Sequence, residues 1–136
     1  MIDSTEPTPQ QARAVRAFAA HIQDMIELDA SGKWLAARRE DGEHDRSHLQ
    51  TMAVLRMQML GWSEDDTRFA LAFHARQQGR KHLIWYCNKT LKWVRRADKS
   101  RHELIPIWRG IEDQAEGDAR AAGTARASNH NPPAQR

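Results

Sequence analysis

Residues 8–32 read TPQQARAVRAFAAHIQDMIELDASG and predict a helix from about Pro9 to Ala30. Thr8 is a favourable N-cap, Pro9 suits the first helical position, and Gln11 is placed to complete a capping box. Gly32 lies where a helix commonly ends in a left-handed residue. Six apolar residues recur at three- and four-residue spacing and predict one buried stripe: Val15, Phe18, Ala19, Ile22, Met25 and Ile26.

Similar start and stop signals downstream predict two shorter helices. One covers about residues 47–60 and ends at Gly61. The other begins after Ser63, a capping residue followed by three acids that oppose the positive end of the helix dipole, and Gly79 closes it. Residues 69–75 are apolar on nearly every side, so we expect this to be the central buried helix.

Two further segments bring the predicted number of helices to five or six. Residues 33–39 are interpreted as two helical turns before the polar loop 40–43. Residues 100–103 have the pattern of another capping box and precede the apolar residues of the 104–111 segment. Pro106 lacks a backbone donor, so an alternative start for that last helix is Ile105.

The two ends of the chain are expected to be unstructured. Residues 1–7 are interpreted as a flexible N-terminus and residues 117–136 as a disordered tail, because the tail contains no large apolar side chain to offset the entropy of ordering. Residues 8–116 would then form the helical domain. A chain of 136 residues has the size of one ordinary domain. The sequence therefore predicts an all-α, single compact domain of five to six helices.

Cysteine content and hydropathy indicate the cellular compartment in which the protein is expected. Cys87 is the only cysteine, which rules out an internal disulfide and fits a reducing compartment, so we expect a cytoplasmic location. The N-terminus lacks the features of a secretion signal, and no stretch approaches the ~20 apolar residues needed to cross a bilayer. No catalytic or cofactor-binding motif is present, so the sequence predicts neither an enzyme nor a bound cofactor.

Charge is divided unevenly along the chain. Residues 1–70 contain twelve Asp or Glu and eight Lys or Arg, whereas residues 71–136 contain six and thirteen. Between Arg76 and Arg101, nine basic residues stand against one acid, Asp98. This asymmetry points to a polyanionic or acidic partner.

The basic segment separates into two faces when residues 81–99 are placed on a helix at about 100° per residue. One face is an apolar stripe of Leu83, Cys87, Leu91 and Val94, flanked by Ile84, Tyr86 and Trp93. The opposite face is the predicted binding surface: Lys81, Trp85, Lys89, Lys92, Arg96 and Lys99. Aromatic rings stack on nucleobases for ~1–3 kcal/mol each while basic side chains neutralise phosphates, and Trp and Arg are also common anchors of protein interfaces.

Three alternatives compete with that interpretation. Trp85 could pack against the lysine stems and a neighbouring helix as a structural residue. A run of basic residues is often only a solvated face. Residues 82–87 could also form a short buried strand, since six mostly apolar residues are not assignable by periodicity alone, and a strand would invalidate the helical face.

Histidine and cysteine chemistry is weakly supported. His44 and His48 are four residues apart and could supply two positions of a metal site, but His44 is expected to lie outside the helix and no second ligand pair follows. We therefore predict no metal site. Cys87 lies on the apolar stripe and is expected to be a small buried hydrophobe. His74 is interpreted as a hydrogen-bonded core or boundary residue.

Two binding functions remain. In the first, the face around Trp85 engages nucleic acid, or the nucleic-acid-binding groove of a nucleoprotein complex. In the second, the chain is a protein-partner module, an inhibitor, adaptor or accessory factor that docks on an acidic surface of another protein. Segments 64–78 and 81–97 are too long, and their join too short, for a helix-turn-helix. The sequence leaves open the partner's identity, DNA against RNA, and the oligomeric state.

Overall fold

A computed structural model describes residues 6–34 and 36–98, together with residues 110, 111 and 113. The described chain is all-α, with α1 at Pro9–Ala30, α2 at Arg46–Met59, α3 at Glu64–Gln77 and α4 at Leu83–Arg96. Four helices are thus described where five or six were predicted. The segment predicted from residue 100 onward lies outside the described residues, except that residues 110, 111 and 113 are helical. The two predicted unstructured ends also fall almost entirely outside them.

The predicted signals at the ends of α1 are confirmed. The Thr8 hydroxyl accepts a hydrogen bond from the Gln11 backbone N–H at 3.0 Å, and the Gln11 side chain accepts one from the Thr8 N–H at 2.9 Å. These two bonds satisfy donors that the first turn of a helix leaves without partners. Gly32 follows α1 with φ +79°, a conformation that a residue without Cβ adopts at little cost.

The buried stripe of α1 is close to the predicted one but is rotated. Phe18 and Met25 have no exposed surface, whereas Ala19 is exposed and Ala14 and Ala17 are buried in its place. Val15, Ile22 and Ile26 are partly buried at the edge of the core. The small residues on the buried side allow the helices to approach closely.

The core lies between the helices, with α2 and α3 each packed against all three others. The prediction that α3 is the central buried helix therefore holds only in part. Seven of the 14 residues of α2 are buried, against four of the 14 in α3. Phe69 and Phe73 of α3 keep partial exposure, and their rings stack on each other with centroids 6.4 Å apart.

The two helical turns predicted for residues 33–39 are wrong. Asp29 at the end of α1 accepts a hydrogen bond from the Ala36 backbone N–H at 3.0 Å and pairs with the Arg38 guanidinium. The chain then turns back through residues 40–43, and Asp45 N–H donates to the Ala37 carbonyl at 2.9 Å. The local sequence of residues 33–39 favours a helix, but the Asp29 carboxylate of α1 holds this segment in an open loop.

Candidate binding surface

The helix predicted over the basic segment is present, and its two faces are separated as expected. Residues 83–96 are helical, so the alternative of a strand at residues 82–87 is wrong. Its inner side buries Tyr86, Cys87, Thr90, Leu91 and Val94. The described members of the predicted surface are all exposed: Lys81, Trp85, Lys89, Lys92 and Arg96. Lys99 lies outside the described residues.

Trp85 is a surface residue, with 60 % of its area exposed. The Lys89 ammonium lies 4.9 Å from the centre of a Trp85 ring, within the range of a cation–π contact. Trp85 therefore lies outside the core, whereas its contact with Lys89 agrees with the alternative in which the indole packs against the surrounding lysines. An exposed indole beside an ammonium offers both a stacking face and a positive charge.

Two further apolar side chains are exposed on the same helix. Ile84 is 79 % exposed and Trp93 is 52 % exposed. The sequence interpretation placed both as flanks of the buried stripe and did not include them in the binding surface. Trp85, Lys89 and Trp93 follow each other at four-residue spacing, which places them in one row along the outside of α4. The four-residue spacing from Lys89 is the sequence feature that could have identified Trp93 as part of this row.

This row borders a groove between α4 and α2 with a volume of about 420 Å³. Trp85, Lys89 and Trp93 line it from α4, and His48 and Thr51 line it from α2. Tyr86 and Thr90, both at most 5 % exposed, form its base. The groove therefore offers two indole rings and an ammonium at one edge, with hydroxyl and imidazole groups and the Asp45 carboxylate opposite.

Arg80 holds one end of the groove in place. Its guanidinium donates a hydrogen bond to the Ser47 hydroxyl at 2.7 Å and lies 3.9 Å from the centre of the Tyr86 ring. The Tyr86 hydroxyl in turn donates to the side-chain carbonyl of Gln50. These contacts fix the start of α4 against the first turns of α2.

Three histidines make structural contacts: His44, His48 and His74. The Nε2–H of His44 donates to Asp29 at 2.8 Å, since a carboxylate can only accept. The His48 ring stacks on Trp34 with centroids 5.6 Å apart. The Gln50 amide donates to Nδ1 of His74 at 2.9 Å, and burial lowers the pKa of both His48 and His74. Within residues 6–34 and 36–98, no group of three or more His, Cys, Asp or Glu residues could hold a metal ion.

Cys87 is 2 % exposed on the inner side of α4, and burial raises the pKa of its thiol. A protonated, inaccessible thiol is a poor nucleophile. Cys87 thus packs as the small hydrophobe that its position on the stripe predicts.

Comparison of the chain with protein-family models, with curated proteins and with solved structures found no match. Across the described part of the chain, no helix combines the length and the apolar character that crossing a membrane requires.

Proposed function

We propose that this chain is a small, non-catalytic helical binding protein that engages nucleic acid through the outer face of α4. One observation carries the proposal: Trp85 is 60 % exposed and lies among the exposed basic residues Lys81, Lys89, Lys92 and Arg96. An exposed indole offers a face on which a nucleobase can stack, which supports a partner with a π face. The surrounding cations support a partner that is anionic.

The groove beside Trp85 favours single strands over duplexes. Bases in a duplex are stacked on each other, whereas unpaired bases can stack on an exposed aromatic ring. Trp85 and Trp93 both border the groove, and Lys89 lies between them in the row. Successive bases could contact the two indole rings while the backbone follows the basic face.

A second candidate function is supported by Ile84, which is 79 % exposed one residue before Trp85. Nucleic acid makes little use of an aliphatic side chain, whereas a protein interface commonly buries one beside an aromatic anchor. In this alternative the chain is an inhibitor, adaptor or accessory factor, and α4 docks on an acidic surface of another protein.

Fluorescence anisotropy with labelled single- and double-stranded DNA and RNA tests the first function. We expect saturable binding to single strands that weakens steeply between about 50 and 200 mM salt, because each neutralised phosphate releases a counterion. Lys92→Glu should weaken binding and reduce the salt slope by about one phosphate contact or more. Arg16→Glu, a matched change at an exposed position of α1, should have a much smaller effect.

Two neighbouring substitutions separate the two functions. Trp85→Ala should weaken oligonucleotide binding by ~1–3 kcal/mol, the usual contribution of one stacked base, while Ile84→Ala leaves it unchanged. A protein partner would instead lose affinity with both substitutions. Absence of binding to every single and double strand at low salt would exclude direct recognition of nucleic acid and leave the protein-partner function.

A further inference from the structure

A second cavity adjoins the groove, where the first turn of α2 meets the residues that precede α4. Its volume is about 480 Å³. Asp45, Ser47 and Arg80 line both the groove and this cavity, so the two are neighbours. Five of its lining residues carry basic side chains, and we call the cavity the cationic pocket: Arg39, Arg46, Arg80, Lys81 and His82.

The charge of the cationic pocket is not balanced by its own acid. Asp45 is the single acidic residue of the lining, and its Oδ1 accepts hydrogen bonds from the backbone N–H groups of Ser47 and His48 at 3.0 and 3.3 Å. Four Lys or Arg side chains against this one carboxylate give the lining a net charge of +3 with His82 neutral, and of these four cations Arg39 is paired with Asp41 at 3.1 Å. In the described part of the chain, neither Arg46 nor Lys81 has an acidic partner within ion-pair distance.

The cations are placed where the fold itself disfavours them. Arg46 is the first residue of α2, and Lys81 and His82 immediately precede α4. Positive charge near a helix N-terminus is repelled by the helix dipole, so these positions weaken both helices. A bound anion would reverse the sign of this interaction, because it would be attracted by the side chains and by both helix ends.

The interior of the cationic pocket supplies ordered hydrogen-bonding groups. Arg80 is held by Ser47 and Tyr86, so its guanidinium loses little freedom when it binds an oxygen. Gln50, 1 % exposed, also lines the pocket, but its amide and carbonyl already bond His74 and Tyr86. His82 has φ +56°, and no side chain caps the start of α4, so the backbone N–H groups of that first turn have no side-chain acceptor.

We propose that the cationic pocket binds a phosphate monoester, with Arg46, Arg80 and Lys81 as its principal contacts. A monoester dianion matches the net charge of the lining better than a singly charged diester does, and guanidinium groups bind phosphate oxygens through paired hydrogen bonds. The phosphate can belong to the end of a nucleic-acid strand or to a free phosphorylated small molecule. The inference rests on the side chains of the pocket and not on Trp85, Lys89 or Trp93, although Lys81 belongs to both proposed surfaces and Asp45, Ser47 and Arg80 also line the groove.

Inorganic phosphate is the first probe. A titration of the ¹⁵N-labelled protein, followed by amide chemical shifts against sodium chloride at equal ionic strength, should give saturable changes at Ser47, Gly79 and Lys81. Arg46→Gln should weaken this binding by about tenfold, the usual effect of one lost charge-assisted hydrogen bond. Arg39→Gln is a second variant of the lining, and Arg16→Gln on α1 is the control that should leave binding unchanged.

Two outcomes would overturn the proposal: amide shifts that phosphate and chloride produce equally, or phosphate affinity that is the same in the wild type and in both lining variants. Circular dichroism confirms that each variant is folded. Trp85→Ala should leave phosphate binding intact, so a failure of oligonucleotide binding and a failure of the cationic pocket are separate results.

A last comparison distinguishes the two sources of phosphate. An oligonucleotide with a 5′-phosphate is compared with its 5′-hydroxyl twin and with a nucleoside monophosphate, each in the wild type and in Arg46→Gln. Tighter binding of the phosphorylated strand that Arg46→Gln abolishes assigns the pocket to a strand end. Equal binding of the two strands, together with Arg46-dependent binding of the monophosphate, assigns it to a small molecule.

Discussion

The guanidinium of Arg56 contacts the carboxylate of Asp24 at 2.9 Å across the interface between α2 and α1. The Arg56 side chain has no exposed surface, whereas the Asp24 side chain keeps 11 % of its own. Charge in a protein interior is costly unless an opposite charge lies beside it. The two partners therefore differ in what their removal does: loss of Asp24 leaves a buried cation without this carboxylate, and loss of Arg56 leaves an acid with some access to water.

Asp24→Ala should lower the free energy of unfolding by about 3–5 kcal/mol, as measured by urea denaturation, because it removes the carboxylate beside a fully buried charge. Adding Arg56→Met to that variant should restore part of the loss, since an apolar side chain of similar length then fills the space. A double variant less stable than Asp24→Ala alone would contradict this account.

Leu91→Ala should cost about 2–5 kcal/mol of stability, because Leu91 has no exposed surface and its removal leaves a cavity under α4. Ile84→Ala on the same helix should change stability by no more than about 0.5 kcal/mol, because Ile84 is exposed. Urea denaturation of both variants checks which face of α4 packs. Equal losses would mean that the two faces are assigned incorrectly.

Asp29→Asn should reduce the loss in the free energy of unfolding that the protein shows at low pH. The backbone N–H of Ala36, and then the hydrogen bond from His44, hold the pKa of Asp29 below its usual value of 3.8. A carboxyl with a lowered pKa in the folded state contributes stability that is present above pH 3.8 and is lost as the pH falls through the lower value. Urea denaturation as a function of pH should show this loss in the wild type and less of it in the variant, and parallel acid limbs would refute it.

Arg46→Gln should stabilise the unliganded protein by about 0.3–1 kcal/mol, because it removes a positive charge from the positive end of α2. Arg16→Gln, inside α1, should have little effect. Thermal unfolding without phosphate measures both. In excess phosphate the advantage of Arg46→Gln should shrink, because the wild type gains more from the ligand. A lower midpoint for Arg46→Gln without phosphate would show that Arg46 stabilises the fold by itself.

The ends of the helices were predictable because short-range chemistry determines them. The capping box of Thr8 and Gln11, the cap at Ser63 and the glycines after α1 and α3 act within a few residues. Residues 33–39 were mispredicted for the opposite reason. The Asp29 carboxylate accepts a hydrogen bond from the backbone N–H of Ala36, seven residues away. The helix propensities of residues 33–39 do not account for that bond.

The exposed face of α4 was predictable from its period, but its neighbours were not. A helical wheel gives the angle of each side chain and therefore placed Trp85 and Lys92 correctly outside. It does not tell how far a neighbouring helix covers each edge, so Trp93 and Ile84 were placed as flanks of the buried stripe and left out of the binding surface, although both are exposed. The groove and the cationic pocket depend on how α2 lies beside α4, which only tertiary packing determines.

The position of Cys87 allows ligand binding to this surface to be followed by the rate of thiol modification. The only thiol of the chain lies on the inner side of α4, directly behind the exposed face. A thiol reagent can reach it only when the chain opens locally or unfolds, so the rate of labelling measures how often the Cys87 sulfur becomes accessible. A ligand that binds the exposed face of α4 and holds the helix in place will slow this reaction without contacting the sulfur. Binding on the exposed face can thus be measured by the reactivity of a thiol on the buried face.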